Sequence, residues 1–125
     1  MKRLPKELAV IKLDFDNRKL VPWKRIGQLL GRAGYKITRN DVRQSKRGLH
    51  VWLSLDPQPR TPFEVVAIQA ILGSDPLRES MNLLRARRFW QTPGFARSWF
   101  NVLYTPRQLS RFRISHLGES TNGKP

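Results

Sequence analysis

Two carboxylates and one imidazole are the residues of this sequence whose types and spacing are best suited to chemistry. Asp14 and Asp16 are separated by a single residue in the segment VIKLDFD, so an extended strand would place both side chains on the same face. Such a pair can hold a divalent cation, because hard cations prefer carboxylate oxygens. His50 lies in the segment SKRGLHVWL, which alternates like a neighbouring strand. Two-metal phosphoryl transfer requires about three carboxylates, and this pattern supplies two.

Basic and aromatic residues that interleave along the chain indicate a different chemistry. The 125 residues include 24 Lys and Arg against nine Asp and Glu, a formal net charge of +15. Such an excess repels itself in a compact chain and usually serves a partner of opposite charge, most commonly nucleic acid. The alternatives to a nucleic-acid partner are an anionic membrane surface and a soluble protein that is basic without such a partner. Cations neutralise phosphates, and aromatic rings stack on unpaired bases at about 1–3 kcal/mol each.

Composition excludes several other classes of protein. The absence of cysteine rules out a disulfide framework, a cysteine zinc site and a thiol nucleophile. Two histidines argue against a histidine-rich metal site. No apolar run approaches the ~20 residues that span a bilayer, and no apolar stretch follows the basic start MKRLPKELAV as it would in a signal peptide. We therefore expect a cytoplasmic protein, in the host cytoplasm if it is viral, with no cofactor and no membrane partner.

The elements that must position these residues follow from periodicity and capping signals. Alternation of apolar and polar residues predicts four strands: Leu8–Phe15, Tyr35–Arg43, Leu49–Leu55 and Asn101–Thr105. Proline at the first turn predicts helices that begin at Pro22, Pro62 and Pro76. The second helix is almost wholly apolar and should be buried. The third should turn Leu77, Met81 and Leu84 inward and carry Arg78, Asn82 and Arg85 on another face, and 87–100 should be an irregular loop.

This order of elements, βαββααβ, predicts an α+β fold. It is the split βαβ pattern of ferredoxin-like and RNA-recognition-like folds. We expect an antiparallel sheet of about four strands with helices on one face and the other face open. Residues 1–106 should form a single nucleic-acid-binding domain, and 107–125 a basic C-terminal extension that is partly ordered.

The open face of this sheet is the first predicted binding surface. If Ile11, Leu13 and Phe15 pack inward, the alternation places Lys12 and Asp14 on the open face, where His50 and Trp52 join them. A second surface is predicted where arginines interleave with aromatics after Arg87, with Trp90 and Trp99 exposed. The predicted nucleic-acid-binding residues are Lys12, Lys46, Arg47, His50, Trp52, Arg78, Arg85, Arg87, Arg88, Trp90, Arg97, Trp99 and Tyr104.

Residues 9–55 resemble the archaeo-eukaryotic primases. The segments VIKLDFD and SKRGLHVWL are similar to the D-x-D and S-x-H-type strand motifs of that family, whose catalytic core is an RNA-recognition-like fold. The resemblance implies metal-dependent chemistry at Asp14 and Asp16. The family carries its third catalytic acid on a later strand, and here 101–104 has none, while Asp75 and Glu79 lie on a predicted helix.

Residues 8–106 resemble more closely the single-stranded DNA-binding proteins of Thermoproteales archaea, the ThermoDBP type. The segments that carry the resemblance are RGLHVWL, LGSDPLRESMNLLRARRF and NVLYTP. The resemblance implies a sheet-and-helix domain with a basic cleft, floored by apolar and aromatic residues, that binds single strands without sequence preference. The leucine-zipper tail that such proteins can carry is missing here, so the oligomeric state, a homodimer included, stays open.

The function predicted from the sequence is largely sequence-independent binding of single-stranded DNA or RNA, with DNA favoured and no catalysis. Basic residues would contact phosphates and aromatic residues would stack on bases. One alternative is a metal-dependent primase-like or nuclease-like enzyme that uses Asp14 and Asp16. The other is a basic structural component of a nucleoprotein assembly, in which 107–125 would contribute more.

Overall fold

Three strands and three helices follow a short 3-10 turn in the structure, a computed structural model that describes residues 3–95 and 100–102. The 3-10 turn is Lys6–Leu8, the strands are β1 (Ile11–Asp16), β2 (Lys36–Gln44) and β3 (Gly48–Asp56), and the helices are α1 (Trp23–Ala33), α2 (Pro62–Ile71) and α3 (Pro76–Phe89). In this described part of the chain, no helix is long and apolar enough to cross a membrane.

The strands form one antiparallel sheet in the order β1-β3-β2. β3 is antiparallel to both neighbours, so β1 and β2 run parallel to each other on either side of it. This confirms an α+β fold with an antiparallel sheet. The sheet has three strands among the described residues, not the expected four: Asn101 and Val102 lie outside any strand, and 103–105 fall outside the described residues.

One face of the sheet is apolar and carries the core. Side chains of β1 and β3 alternate between the two faces, and the inward set is buried as the alternation predicts: Ile11, Leu13, Phe15, Leu49, Val51, Leu53 and Leu55. α1 packs Ile26 and Leu30 into the same cluster, and α2 adds Val65 and Ile68. Both helices therefore lie on this face.

Local signals set the helix ends close to where the sequence places them. α1 ends at Gly34, which adopts a left-handed conformation with φ of 87° that favours glycine. The Thr61 hydroxyl accepts a hydrogen bond from the Glu64 N–H at 3.2 Å at the start of α2. The Asp75 carboxylate accepts one from the Arg78 N–H at 3.0 Å at the start of α3.

Tyr35, just after α1, is tied to α2 by a side-chain hydrogen bond. Burial, together with the hydrogen bond that its hydroxyl donates to the Glu64 carboxylate, raises the pKa of Tyr35 to about 12.

The orientation of α3 is the reverse of the expected one. Leu77, Met81 and Leu84 were expected to face inward, but they are 74%, 41% and 60% exposed. The buried positions are Glu79, Asn82 and Ala86. α3 also runs through Phe89, so the first residues of the predicted loop are helical. α2 shows a milder departure, because Phe63 and Ile71 are exposed.

The outer edge of β1 explains this orientation. The N–H of Lys12 donates to Gln69 Oε1 at 2.8 Å, and the N–H of Asp14 donates to Ser74 Oγ at 3.0 Å. Arg78 Nη1 donates to the carbonyl of Lys12 at 2.9 Å, and the N–H of Asp75 donates to the carbonyl of Asp14 at 2.9 Å. Backbone groups that a neighbouring strand would satisfy are therefore bonded by α2, α3 and their connection, which leaves no place for a strand beside Lys12–Asp14.

Five polar side chains behind this edge form a buried cluster that we call the edge network. Glu79 Oε1 accepts from Gln69 at 2.6 Å and from Asn82 at 3.2 Å, and Glu79 Oε2 accepts from Arg78 at 2.7 Å. Asn101 joins through its N–H, which donates to Asn82 Oδ1 at 2.7 Å, and through Nδ2, which donates to the carbonyl of Val10 at 3.1 Å. Because each buried charge has several partners, α3 gains stability by facing its polar side inward.

Replacing Asn82 by alanine should destabilise the protein by about 2–4 kcal/mol, because it removes a donor to Glu79 and leaves the Asn101 N–H buried without its acceptor. Ser80→Ala, at an exposed position of the same helix, is the control and should change stability by less than about 0.5 kcal/mol. Urea unfolding followed by circular dichroism measures both. Equal midpoints for the two variants would contradict the importance of the edge network.

Gly48→Ala should destabilise the protein, because an added Cβ at this first residue of β3 would lie 1.8 Å from the carbonyl oxygen of Phe15. Gly27→Ala, in α1, meets nothing within 4 Å and should stabilise the protein by about 0.5–1 kcal/mol through its higher helix propensity. Thermal unfolding of the two variants should therefore show shifts of opposite sign, and shifts of the same sign would count against the close approach of β1 and β3.

Candidate nucleic-acid interface

Four predicted residues come together on the face of the sheet that points away from the core. In the register of β1 and β3, Lys12 lies opposite Trp52, and Asp14 lies opposite His50. All four side chains are partly buried. Their juxtaposition confirms the alternation argument. The His50 side chain is only 12% exposed, however, and is less accessible than expected for an open surface.

β2 adds three charged residues to this surface, which we call the sheet face (Lys12, Asp14, Arg39, Asp41, Arg43, His50 and Trp52). Asp41 lies opposite Trp52, Arg43 opposite His50, and Arg39 opposite Ser54. The sequence placed Arg39 on the same face as Tyr35 and Ile37. An irregularity between Ile37 and Arg39 inserts one residue and moves the following side chains to the other face. Alternation counted from Tyr35 therefore predicts the wrong face for Arg39, whereas alternation counted back from Arg43 predicts the correct one.

The Trp52 ring lies beside a shallow depression of the surface, with arginine side chains next to it. The guanidinium carbon of Arg43 is 5.8 Å from its ring centroid, within the range of a cation–π contact. The His50 ring meets it edge-on, with centroids 6.0 Å apart. A depression of about 150 Å³ beside the indole is lined by Arg39, Asn40, Asp41, Trp52 and Ser54. The arrangement offers a planar ring with cations beside it, which suits stacking of an unpaired base.

Lys12 lies opposite Trp52 on β1 and is a second cation on this face of the sheet. Burial, followed by the charge of Arg78, lowers the pKa of the Lys12 ammonium below its usual value. A partly desolvated ammonium gains more from an anionic partner than a hydrated one does. Arg43 pairs with Asp41 at 3.3 Å, but both side chains are well exposed, and such surface pairs contribute little to stability. Both cations are therefore suited to phosphate contacts.

A larger cleft of about 410 Å³ adjoins the sheet face. The start of β3 and the end of β1 form its floor, the β2–β3 turn forms one side, and the first half of α3 forms the other. Its lining combines four acidic or imidazole groups, four cations and three apolar side chains with Ser45 and Asn82: Asp14, Asp16, His50 and Asp75; Lys46, Arg47, Arg78 and Arg85; Leu77, Met81 and Val102. The cleft therefore combines apolar, anionic and cationic groups in one lining.

Asp14 and His50 lie side by side in the floor of the cleft, with 3.6 Å between Oδ1 and Nε2. Burial raises the pKa of Asp14 to about 6, the nearby Asp16 carboxylate adds to this, and Arg78 partly opposes it. Burial and the charge of Arg78 lower the pKa of His50 below its usual value. At neutral pH Asp14 is therefore ionised beside a neutral imidazole, and the floor of the cleft is a hydrogen-bond acceptor.

The structure gives the metal-site alternative no third ligand among residues 3–95 and 100–102. No group of three or more histidine, aspartate or glutamate side chains in this range is placed to hold a metal ion. Asp14 and Asp16 line the cleft together, as the D-x-D spacing predicts, but Asp75 and Glu79 do not complete a ligand set with them.

The basic residues predicted to bind nucleic acid have different surroundings. Lys46 and Arg47 are exposed in the β2–β3 turn and line the cleft, which Arg85 also lines from α3. Arg78 differs from the expectation: its side chain is 10% exposed, because the guanidinium belongs to the edge network. Arg87 and Arg88 are exposed in the last turn of α3, where Arg88 lies 5.6 Å from the Phe89 ring.

The described aromatic residues of the predicted second surface pack in or against the core. Phe95 and Phe100 are buried, and Trp90, expected to be exposed, is partly buried against Phe95 with ring centroids 5.2 Å apart. Phe95 and Phe100 have centroids 5.3 Å apart. Phe95 therefore contacts both Trp90 and Phe100, and all three rings pack in or against the core. Arg97, Trp99 and Tyr104 lie outside the described residues.

No protein-family model matches the sequence, and searches of the curated proteins and of the solved structures also find no match. The resemblances noted in the sequence therefore stay expectations.

Asp14→Asn should stabilise the protein at pH 8 by about 1–2 kcal/mol and have little effect at pH 4. The folded-state pKa is raised, so the native state binds more protons than the unfolded state between about pH 4 and 6. Wild-type stability is then lost as pH rises through this window, and the isosteric amide removes that loss.

Urea unfolding at the two pH values tests this. Asp56→Asn, which removes an exposed carboxylate at the opposite end of β3 from His50, is the matched control. An effect of Asp14→Asn that is equal at pH 4 and pH 8 would show that the buried charge does not weaken the fold.

Proposed function

We propose that this protein binds single-stranded nucleic acid, DNA in the first place, on its sheet face and largely without regard to sequence. The observation that carries the proposal is the position of Trp52, which is partly exposed on the face that points away from the core, with Lys12 on the opposite strand and Arg43 over its ring. Stacking on this ring recognises any base, because every base has a π-face.

Phosphates would be neutralised by cations that surround the ring. Lys12, Arg39 and Arg43 lie on the sheet face, and Lys46 and Arg47 extend the positive charge along the β2–β3 turn. Each phosphate contact releases counterions, so the affinity should fall steeply with salt. Single strands are favoured over duplex, because bases stacked and paired in a duplex cannot present a face to Trp52.

A ferredoxin-like or RNA-recognition-like fold and a cytoplasmic location are part of this proposal. β1 and β2 run parallel with β3 between them, which supports a split βαβ arrangement of the ferredoxin-like and RNA-recognition-like kind. A cytoplasmic location would suit a nucleic-acid partner. The metal-dependent enzyme is the weaker alternative, because Asp14 and Asp16 gain no third ligand among the described residues.

Trp52→Ala should weaken binding of a fluorescently labelled oligo(dT) by roughly tenfold, because stacking contributes about 1–3 kcal/mol per base. Fluorescence anisotropy at two salt concentrations measures the affinity, with a duplex of the same length for comparison. The salt slope should be retained, because the substitution removes a ring and no charge.

Trp23→Ala is the matched control. Trp23 is a more exposed tryptophan, at 40%, but it lies on α1, which packs on the other side of the sheet. It should leave the affinity unchanged. Equal losses for the two variants, or duplex binding as tight as single-strand binding, would refute the sheet face as a platform for unpaired bases.

A further inference from the structure

We propose that the cleft whose floor holds Asp14 and His50 is a pocket for one nucleotide of the bound strand and that the Asp14 carboxylate selects guanine. This inference rests on the proposed function and adds a base preference at one position to binding that is otherwise independent of sequence. The cleft volume of about 410 Å³ lies in the range of small-molecule binding sites.

The walls of the cleft match the parts of a nucleotide. Leu77 and Met81 are one helical turn apart on α3, and both are exposed on the cleft wall although they are apolar. An apolar wall suits the flat faces of a base. Lys46 and Arg47 line the opposite side from the β2–β3 turn, where they can neutralise the phosphates on either side of that base.

The floor of the cleft selects among the bases by hydrogen bonding. An ionised carboxylate only accepts hydrogen bonds, and its two oxygens match two donors held side by side. Guanine presents N1–H and the N2 amino group next to each other on its Watson–Crick edge. Thymine and uracil present one N–H between two carbonyl oxygens, which a carboxylate repels, and adenine and cytosine present one amino group beside an acceptor nitrogen. Asp14 therefore favours guanine.

Asp14 is held in the orientation that this role requires. Its backbone is bonded on the outer edge of β1 by Ser74 and Asp75, and its side chain lies 3.6 Å from His50. The side chain is 23% exposed, so it is reachable from the cleft but partly shielded from water. Partial desolvation strengthens hydrogen bonds to a charged acceptor.

The pocket and the stacking platform are continuous. His50 and Trp52 are same-face neighbours on β3, and their ring centroids are 6.0 Å apart. A base stacked on Trp52 and a base inserted beside His50 would therefore belong to adjacent nucleotides of an unstacked strand. Selection of guanine at one position is then compatible with stacking of any base at the next.

The test compares oligo(dT) with the same oligonucleotide carrying one central dG, dA or dC. Wild-type protein should bind the dG oligonucleotide about tenfold more tightly than oligo(dT), as expected for one bidentate base contact, and should show a smaller gain or none for dA and dC. Asp14→Asn should reduce the ratio of the dG and dT affinities to about one. The isosteric amide removes a partly buried charge, so this variant should remain folded, and circular dichroism checks it.

Asp56→Asn is the control, because it removes the same charge at a position outside the lining of the cleft. It should keep the wild-type ratio of the dG and dT affinities. Leu77→Glu places a carboxylate on the exposed apolar wall, which contributes little to the core, and should also lower the ratio. Equal wild-type affinities for all four oligonucleotides, or a dG preference that survives Asp14→Asn, would overturn the inference. Failure of the proposed function would look different, because wild-type protein would then bind none of the four.

Discussion

The outer edge of β1 is hydrogen-bonded by side chains of α2 and α3 instead of by another strand, and much of the structure depends on this arrangement. Gln69 and Arg78 bond the backbone of Lys12, and Glu79 joins these two side chains behind the edge. Since these polar groups must face the sheet, α3 turns its leucines and Met81 outward. The apolar wall of the cleft is therefore a consequence of how a strand edge is satisfied.

The same arrangement explains why a strongly basic protein has an acidic floor in the cleft between α3 and the β2–β3 turn. Arg78 lies behind Asp14 as part of the edge network and moderates the effect of burial on that carboxyl group. The charge of Arg78 thus helps to keep the Asp14 carboxylate ionised, so that it can accept hydrogen bonds. The exposed cations Lys46 and Arg47, which also line the cleft, remain available for phosphates. Cations that stabilise the fold and cations suited to binding are in this way separate residues.

Much of the sheet could be predicted from the sequence, and the position of α3 could not. Strict alternation in β3 placed His50 and Trp52 on one face, together with Lys12 and Asp14 of β1. The spacing of Leu77, Met81 and Leu84 suggested a buried stripe, because periodicity shows which residues share a face but not which face the rest of the chain covers. Glu79 accepts a hydrogen bond from Gln69, 10 positions before it in α2, and from Asn82, which in turn bonds Asn101 after α3. Such long-range polar pairing leaves no local signal.

The irregularity at Thr38 also affects whether strands of other chains can pair with the edge of this sheet. Among residues 3–95 and 100–102, β2 is the long edge strand, with nine residues and almost every side chain exposed. Such strands readily recruit foreign strands into aggregates. An inserted residue breaks the regular spacing of its outward amide and carbonyl groups, and the charges of Lys36, Arg39 and Arg43 repel an identical copy. The feature that brings Arg39 beside Trp52 thus also protects the chain from fibrous self-association.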